Sequence, residues 1–206
     1  MTSARAPGDG GAPKTDGVSS PLDDERPQRA DARRNRARLL EVAHEVFAAE
    51  GLSVPIDEIA RRAGVGPGTI YRHFATKEGL FQAVMRSRVS ALAATARSLR
   101  DADDTGAAFF DFFTAMVREA TGNRALAECV ATEGLEFEMG DDSAPHELER
   151  AVDELLQRAQ RSGAVRADVG PRDIKALLIG CMATEAFGLG DSSTGMVAVV
   201  RDGLRA

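Results

Sequence analysis

At 206 residues with 43% hydrophobic side chains, the chain is long enough to bury one or two cores, at roughly 100–200 residues per domain. No apolar run approaches the about 20 residues that cross a bilayer, and the polar leading residues lack the apolar stretch of a secretory signal, so a cytoplasmic protein without a membrane partner is expected. The net charge of −6 speaks against a nucleic-acid partner only as an average: residues 29–88 hold 11 basic and 7 acidic side chains while residues 89–206 hold 12 and 20, which confines the positive charge to one module.

Residues 1–28 are rich in Gly, Pro, Ser, Asp and Arg and poor in large apolar side chains, a composition that predicts a disordered tail. From Asp31 the pattern turns helical, with Leu39, Leu40, Ala43, Val46 and Phe47 at three- and four-residue spacing and Gly51 as a stop. A short second helix places Ile56, Ile59, Ala60 and Ala63 inward and ends at Gly64. A third is expected over Pro67–Phe74, with Pro67 at the first helical position, where its missing N–H costs nothing. Thr76 then caps a fourth helix carrying Leu80, Phe81, Val84, Met85, Val89 and Leu92 as far as about Leu99.

The second half is helical as well, and no alternating stretch reads as a strand. Phe109, Phe110, Phe112, Phe113, Met116 and Val117 leave only the polar stripe Asp111, Thr114 and Arg118, so the fifth helix is expected to be almost surrounded by protein. The sixth is expected over Arg124–Met139. Pro145 opens a seventh that stops at Gly163, and Pro171 opens an eighth with Ile174, Leu177, Leu178, Ile179, Cys181, Met182 and Phe187. A ninth carries Met196, Val197, Val199, Val200 and Leu204. Cys129 and Cys181 both fall in apolar helical patterns and read as small buried hydrophobes rather than a disulfide or a metal pair. No metal site or cofactor is expected.

The stretch with the sharpest chemistry is residues 55–74, PIDEIARRAGVGPGTIYRHF. It is a helix, a glycine turn and a second helix, in which Ala60 permits close approach and Gly64 permits a positive φ. Thr69, Tyr71, Arg72 and His73 then offer hydroxyl, phenol, guanidinium and imidazole groups from the second helix, with Lys77 at the start of the next. Donors of these types suit phosphate oxygens and base edges.

These residues resemble the TetR-type DNA-binding domain over about Ala32–Ala91. The family signature is matched by Ile59, Ala60, Ala63, Gly64, Val65, Gly68, Thr69, Ile70, Tyr71, His73, Phe74, Lys77 and Glu78. Two positions depart from it: Gly66 stands where a Ser or Thr cap is usual, and Pro55 where Thr is frequent. The resemblance implies an all-α protein with an N-terminal three-helix, homeodomain-like helix-turn-helix domain over residues 29–91. A C-terminal helical ligand-sensing and dimerisation domain would follow over residues 92–206. It implies phosphate contacts from Thr69, Tyr71 and Lys77, and major-groove contacts from Pro67, Gly68, Tyr71 and Arg72, with His73 alongside. Arg33 and Arg34, with Arg36, could reach backbone or minor groove from the first helix; a solvated basic face is the alternative.

For the second half the resemblance implies a ligand pocket and a homodimer. Phe109, Phe112, Phe113, Met116, Cys129, Phe137 and Met182 are the candidate pocket lining, although such stripes also make plain core. Glu119, Glu128, Glu133, Glu136 and Glu138 would favour a cationic ligand if they faced inward. Ala176, Gly180 and Ala183 on the eighth helix and Val197 and Val200 on the ninth are the candidate dimer face. The function implied is a sequence-specific transcriptional repressor released from a palindromic DNA operator by a small-molecule effector. An activator of the same fold, or a helical interaction module without DNA binding, is the alternative. An enzyme is not expected, because His44, His73 and His146 lie in separate elements with no accompanying nucleophile or phosphate loop.

Overall fold

The computed structural model describes residues 21–133, 143–186 and 193–206, with side chains described over 31–129, 143–183 and 195–206. The chain divides into two contact units after Arg36. The described part of the first is the leading stretch of helix α1 (Pro21–Glu50), so the tail expected over residues 1–28 is helical from Pro21 onward. Proline's fixed φ suits the first helical turn. Here local terms set the boundary ahead of any apolar face.

In the second unit, a 3₁₀ turn over Gly51–Ser53 leads to α2 (Ile56–Ala63), α3 (Pro67–His73) and α4 (Lys77–Ser98). The corner between α2 and α3 is made as its sequence requires. Gly64 adopts φ +69, and the Val65 N–H reaches back to the Ala60 carbonyl at 3.0 Å, the six-to-one bond of a Schellman closure. Thr76 caps α4 by accepting the Gly79 N–H on its hydroxyl at 3.0 Å. A first core gathers Leu39, Ala43, Phe47, Ile59, Ile70, Leu80 and Val84 among others, with Phe47 and Phe81 meeting edge-to-face at 5.4 Å.

The rest comprises α5 (Thr105–Thr121), α6 (Arg124–Glu133), α7 (Ser143–Arg161), α8 (Pro171–Ala186) and α9 (Ser193–Leu204). α7 begins at Ser143 rather than at Pro145, and the end expected for α6 near Met139 lies outside the described residues. A second core joins Phe109, Phe110, Phe112, Phe113, Met116 and Val117 of α5 to Leu155 and Leu156 of α7, Ile174 and Cys181 of α8 and Leu204 of α9. Asp111 and Arg118 stay exposed and Thr114 is half-buried, the polar stripe read from the sequence. Among the described residues there is no strand; a lone bridge joins Val165 to Arg205.

α6 departs from the simplest division of the chain. Its Ala125 and Cys129 are buried in the first core, with Leu126 packed against it, although residue 124 follows α5 in sequence. Asn123, itself buried, caps the helix by accepting the Leu126 N–H at 3.0 Å. Both cysteines are buried and free, and burial raises the Cys181 thiol above its ordinary pKa.

Candidate nucleic-acid interface

α3 is anchored to the fold through one apolar side chain. Ile70 is fully buried at 0% exposure, while Pro67, Gly68, Tyr71, Arg72 and His73 are exposed and Thr69 is half-buried. The helix starts at Gly66, whose carbonyl accepts the N–H groups of Thr69 at 2.9 Å and Ile70 at 3.3 Å, and closes on the Phe74 N–H to the Ile70 carbonyl at 2.8 Å. Gly66 offers no side-chain cap. Pro67 fills the first helical position without an orphaned donor. The result is a short rod with hydroxyl, phenol, guanidinium and imidazole groups on its outward face.

The basic residues around α3 fall into two electrostatic classes. On α2, Glu58 binds Arg61 through Nε and Nη2 at 2.8 and 2.7 Å and Arg62 through Nε at 2.7 Å, and Glu50 also holds Arg62. These guanidinium bonds lower the Glu58 pKa to about 2. By contrast, Arg72 makes no ion pair among the described residues, so its charge is available to an anion. Arg61 and Arg62 would first have to give up Glu58.

Two of the expected phosphate ligands have intramolecular partners. The Tyr71 phenol is 46% exposed, and partial desolvation first, then the nearby Asp57 carboxylate of α2, raise its pKa. The Lys77 ammonium donates to the Leu52 carbonyl in the 3₁₀ turn and is half-buried. Neither contact removes the group from the α3 side of the molecule: Tyr71 keeps an oxygen lone pair and Lys77 two further N–H donors. His73 stays exposed, its ring 6.3 Å from that of Phe74. Arg33 and Arg34 lie ahead of the division after Arg36; both are exposed on α1, and Arg34 is paired to Asp31.

The candidate pocket residues are not brought together as one set. Phe109, Phe112, Phe113 and Met116 pack in the second core, whereas Cys129 packs in the first, because α6 runs against the 3₁₀ turn. Met182 is half-buried on α8, and Phe137 lies outside the described residues. Of the acidic side chains weighed as partners for a cation, Glu119 is bound by Arg88 and Glu128 by the Leu52 N–H and Arg124. Those of Glu133, Glu136 and Glu138 lie outside the described side chains.

On the candidate dimer face, Ala176 is exposed and Gly180, Ala183, Val197 and Val200 are half-buried. Val199, 72% exposed on α9, was not among the candidates, since a valine stripe alone does not say which valine faces out. Tyr71 and Val199 are the exposed large hydrophobic residues among those described. One belongs to each proposed surface. Among the described residues no helix is long and apolar enough to cross a membrane, and no group of three or more potential metal ligands gathers.

Comparison with known proteins points the same way. Residues 39–84 match the model of bacterial regulatory proteins of the TetR family, and residues 104–206 match the C-terminal domain of SbtR-like transcriptional regulators. The HTH-type transcriptional regulator UidR of Escherichia coli is 27% identical over 158 residues, 72% of this chain and 78% of UidR. A TetR transcription regulatory protein from Mycobacterium vanbaalenii is 47% identical, with a TM-score of 0.68 over 87% of this chain and all of that one. The regulator SCO0520 of Streptomyces coelicolor is 28% identical, with a TM-score of 0.66 over 82% and 98%.

Proposed function

The chain belongs to the TetR family of DNA-binding transcriptional regulators, and from that premise we propose that it is a cytoplasmic repressor, released from a palindromic operator by a small-molecule effector. The observation that carries the DNA-binding surface is α3 itself, fixed by the buried Ile70 and turning Pro67, Gly68, Tyr71, Arg72 and His73 to solvent. Thr69, Tyr71 and Lys77 hold phosphates, and Arg72 reaches base edges with its unpaired guanidinium. Arg33 and Arg34 add backbone contacts. Phosphate contacts fix register and base contacts fix sequence.

A dimer follows from the operator geometry. Two copies joined through α8 and α9 place two α3 helices about 34–36 Å apart, one turn of the duplex. Residues 29–91 act as the DNA-binding domain and residues 92–206 as the sensing and dimerisation domain. The effector enters beside Phe109, Phe112, Phe113 and Met116. These side chains lie in the buried second core, and α4, which runs from one domain into the other, carries the shift that the ligand causes. Coupling of about 1–3 kcal/mol would weaken operator binding 5- to 150-fold.

The test is to select duplexes from random DNA with the purified protein and to titrate the enriched duplex at increasing salt. Lys77→Ala should weaken binding to every duplex and lower the salt slope by about one, while Arg72→Ala should relax preference at particular bases. Enrichment of no duplex, or binding indifferent to salt, overturns the reading.

A further inference from the structure

The backbone of Leu52 is held from two directions, one on each of its flanking peptides. Its N–H donates to Glu128 Oε2 of α6 at 2.8 Å, and its carbonyl accepts from the Lys77 ammonium at the start of α4. Glu128 is braced in turn by Arg124, whose Nε lies 3.1 Å from Oε1. Gly51 makes room for this arrangement. It has φ +78, and a Cβ there would stand 2.4 Å from Glu128 Oε1. Ala125 and Cys129, on the same helix, are buried among α1–α4 residues, so the position of α6 against the turn is set by packing as well as by the hydrogen bond.

From this chain of contacts we propose that Glu128 is a positioning residue for DNA binding: it fixes the backbone of Leu52, and the Leu52 carbonyl orders the Lys77 ammonium for its phosphate. The inference rests on the reading of Lys77 as a phosphate ligand. A lysine side chain carries large rotamer entropy, and ordering it before DNA arrives lowers the cost of binding. One N–H donor on the Leu52 carbonyl leaves two for a phosphate. A carboxylate accepting a backbone N–H is a charge-assisted bond, strong enough to hold a short 3₁₀ turn in register. Since Glu128 lies on α6, which also packs against α5 and α8, a displacement of α6 changes the order of Lys77 without moving α3.

The test is a double-mutant cycle in the full-length protein, read as affinity and salt slope on the duplex that the wild type itself selects from random DNA. Glu128→Ala should weaken binding roughly tenfold, the scale of a lost hydrogen bond to a charged group, and flatten the salt slope. Lys77→Met should do the same, and the double variant should bind no more weakly than Lys77→Met alone. Glu128→Gln, which keeps an acceptor for the Leu52 N–H at about half the strength of the charge-assisted bond, should fall between wild type and Glu128→Ala, about threefold below wild type. If Glu128→Ala does not stay folded at the assay temperature, Glu128→Asp takes its place in the cycle, keeping the charge but withdrawing it by one methylene. Losses that multiply in the double variant, or a salt slope unchanged by loss of Glu128, overturn the proposal while DNA binding stands. A wild-type protein that enriches no duplex overturns both.

Discussion

Gly51 and Gly64 share a left-handed backbone, with φ +78 and +69, yet their surroundings differ. At Gly64 the nearest atom to an added Cβ is Arg38 Nη2 at 3.8 Å, ordinary contact, whereas at Gly51 the Glu128 carboxylate stands inside contact distance. Gly64→Ala should therefore cost only the conformational term, about 1–2 kcal/mol. Gly51→Ala must also push Glu128 off the Leu52 N–H, adding about 1.5–3 kcal/mol for a bond to a charged group. Urea denaturation of the two variants checks the ranking; equal losses would mean that Glu128 swings aside freely. At this scale the sequence was legible where a residue type has one use. Gly64 after a short helix, Pro67 opening the next and Thr76 ahead of α4 each announce a boundary, and each is found there. Lys77 was only half legible, because an ammonium suits a carbonyl as well as a phosphate. Leu52 carried no signal, and Glu128 was weighed only as a partner for a cationic ligand, since their pairing joins positions far apart in the chain.

Between elements, the ionisable cluster joining α1, α4 and α5 has a defined response to pH. Arg88 of α4 binds Glu119 of α5 at 2.7 and 2.9 Å and reaches Glu41 of α1 at 3.4 Å. His44 of α1 lies 3.6 Å from Glu119, and its buried Nδ1 has no hydrogen-bond partner among the described residues. Burial, and then the Arg88 charge, push the His44 pKa below 6.5 against the opposing pull of Glu119, Glu41 and Glu45. The folded protein thus favours the neutral imidazole. That contribution to stability is fully present above pH 6.5 and is lost as pH falls toward the lowered value. Glu119, held below 4.5 chiefly by its bond to Arg88, loses its contribution only at more acid pH. Thermal melts should therefore show stability falling between pH 7.5 and 5.5, with a shallower fall in His44→Gln; parallel profiles for the two proteins would remove His44 from the account. The helices themselves were largely readable from apolar spacing, α5 above all, where six apolar residues leave three polar ones. Which core a helix enters was not: Ala125, Leu126 and Cys129 mark an apolar face on α6 without saying that α1–α4 cover it.

For the whole molecule, the proposed operator geometry stands or falls with the α8–α9 face. Val199 is 72% exposed, and small residues at Ala176, Gly180 and Ala183 would let a second copy approach closely. Gly180 offers a clean probe, because nothing lies within 4 Å of a Cβ built there. A side chain at this position therefore fits the isolated protomer, and glycine in a helix interior is itself unfavourable by roughly 0.5–1 kcal/mol relative to alanine. Gly180→Arg should accordingly keep the helical circular dichroism and the melting behaviour of a folded protomer while placing a long cation where the two copies meet. Sedimentation velocity should show a dimer for the wild type and a monomer for the variant. Binding to the palindromic duplex should fall by about 10²–10⁴, the loss expected when two linked contacts become two separate ones, while the salt-dependent affinity for a single half-site is retained. A variant that still sediments as a dimer would move the interface off this face, and a monomeric wild type would remove the two-fold operator altogether. The half-site measurement separates these outcomes from misfolding, since it depends only on α3 and its surroundings within one copy.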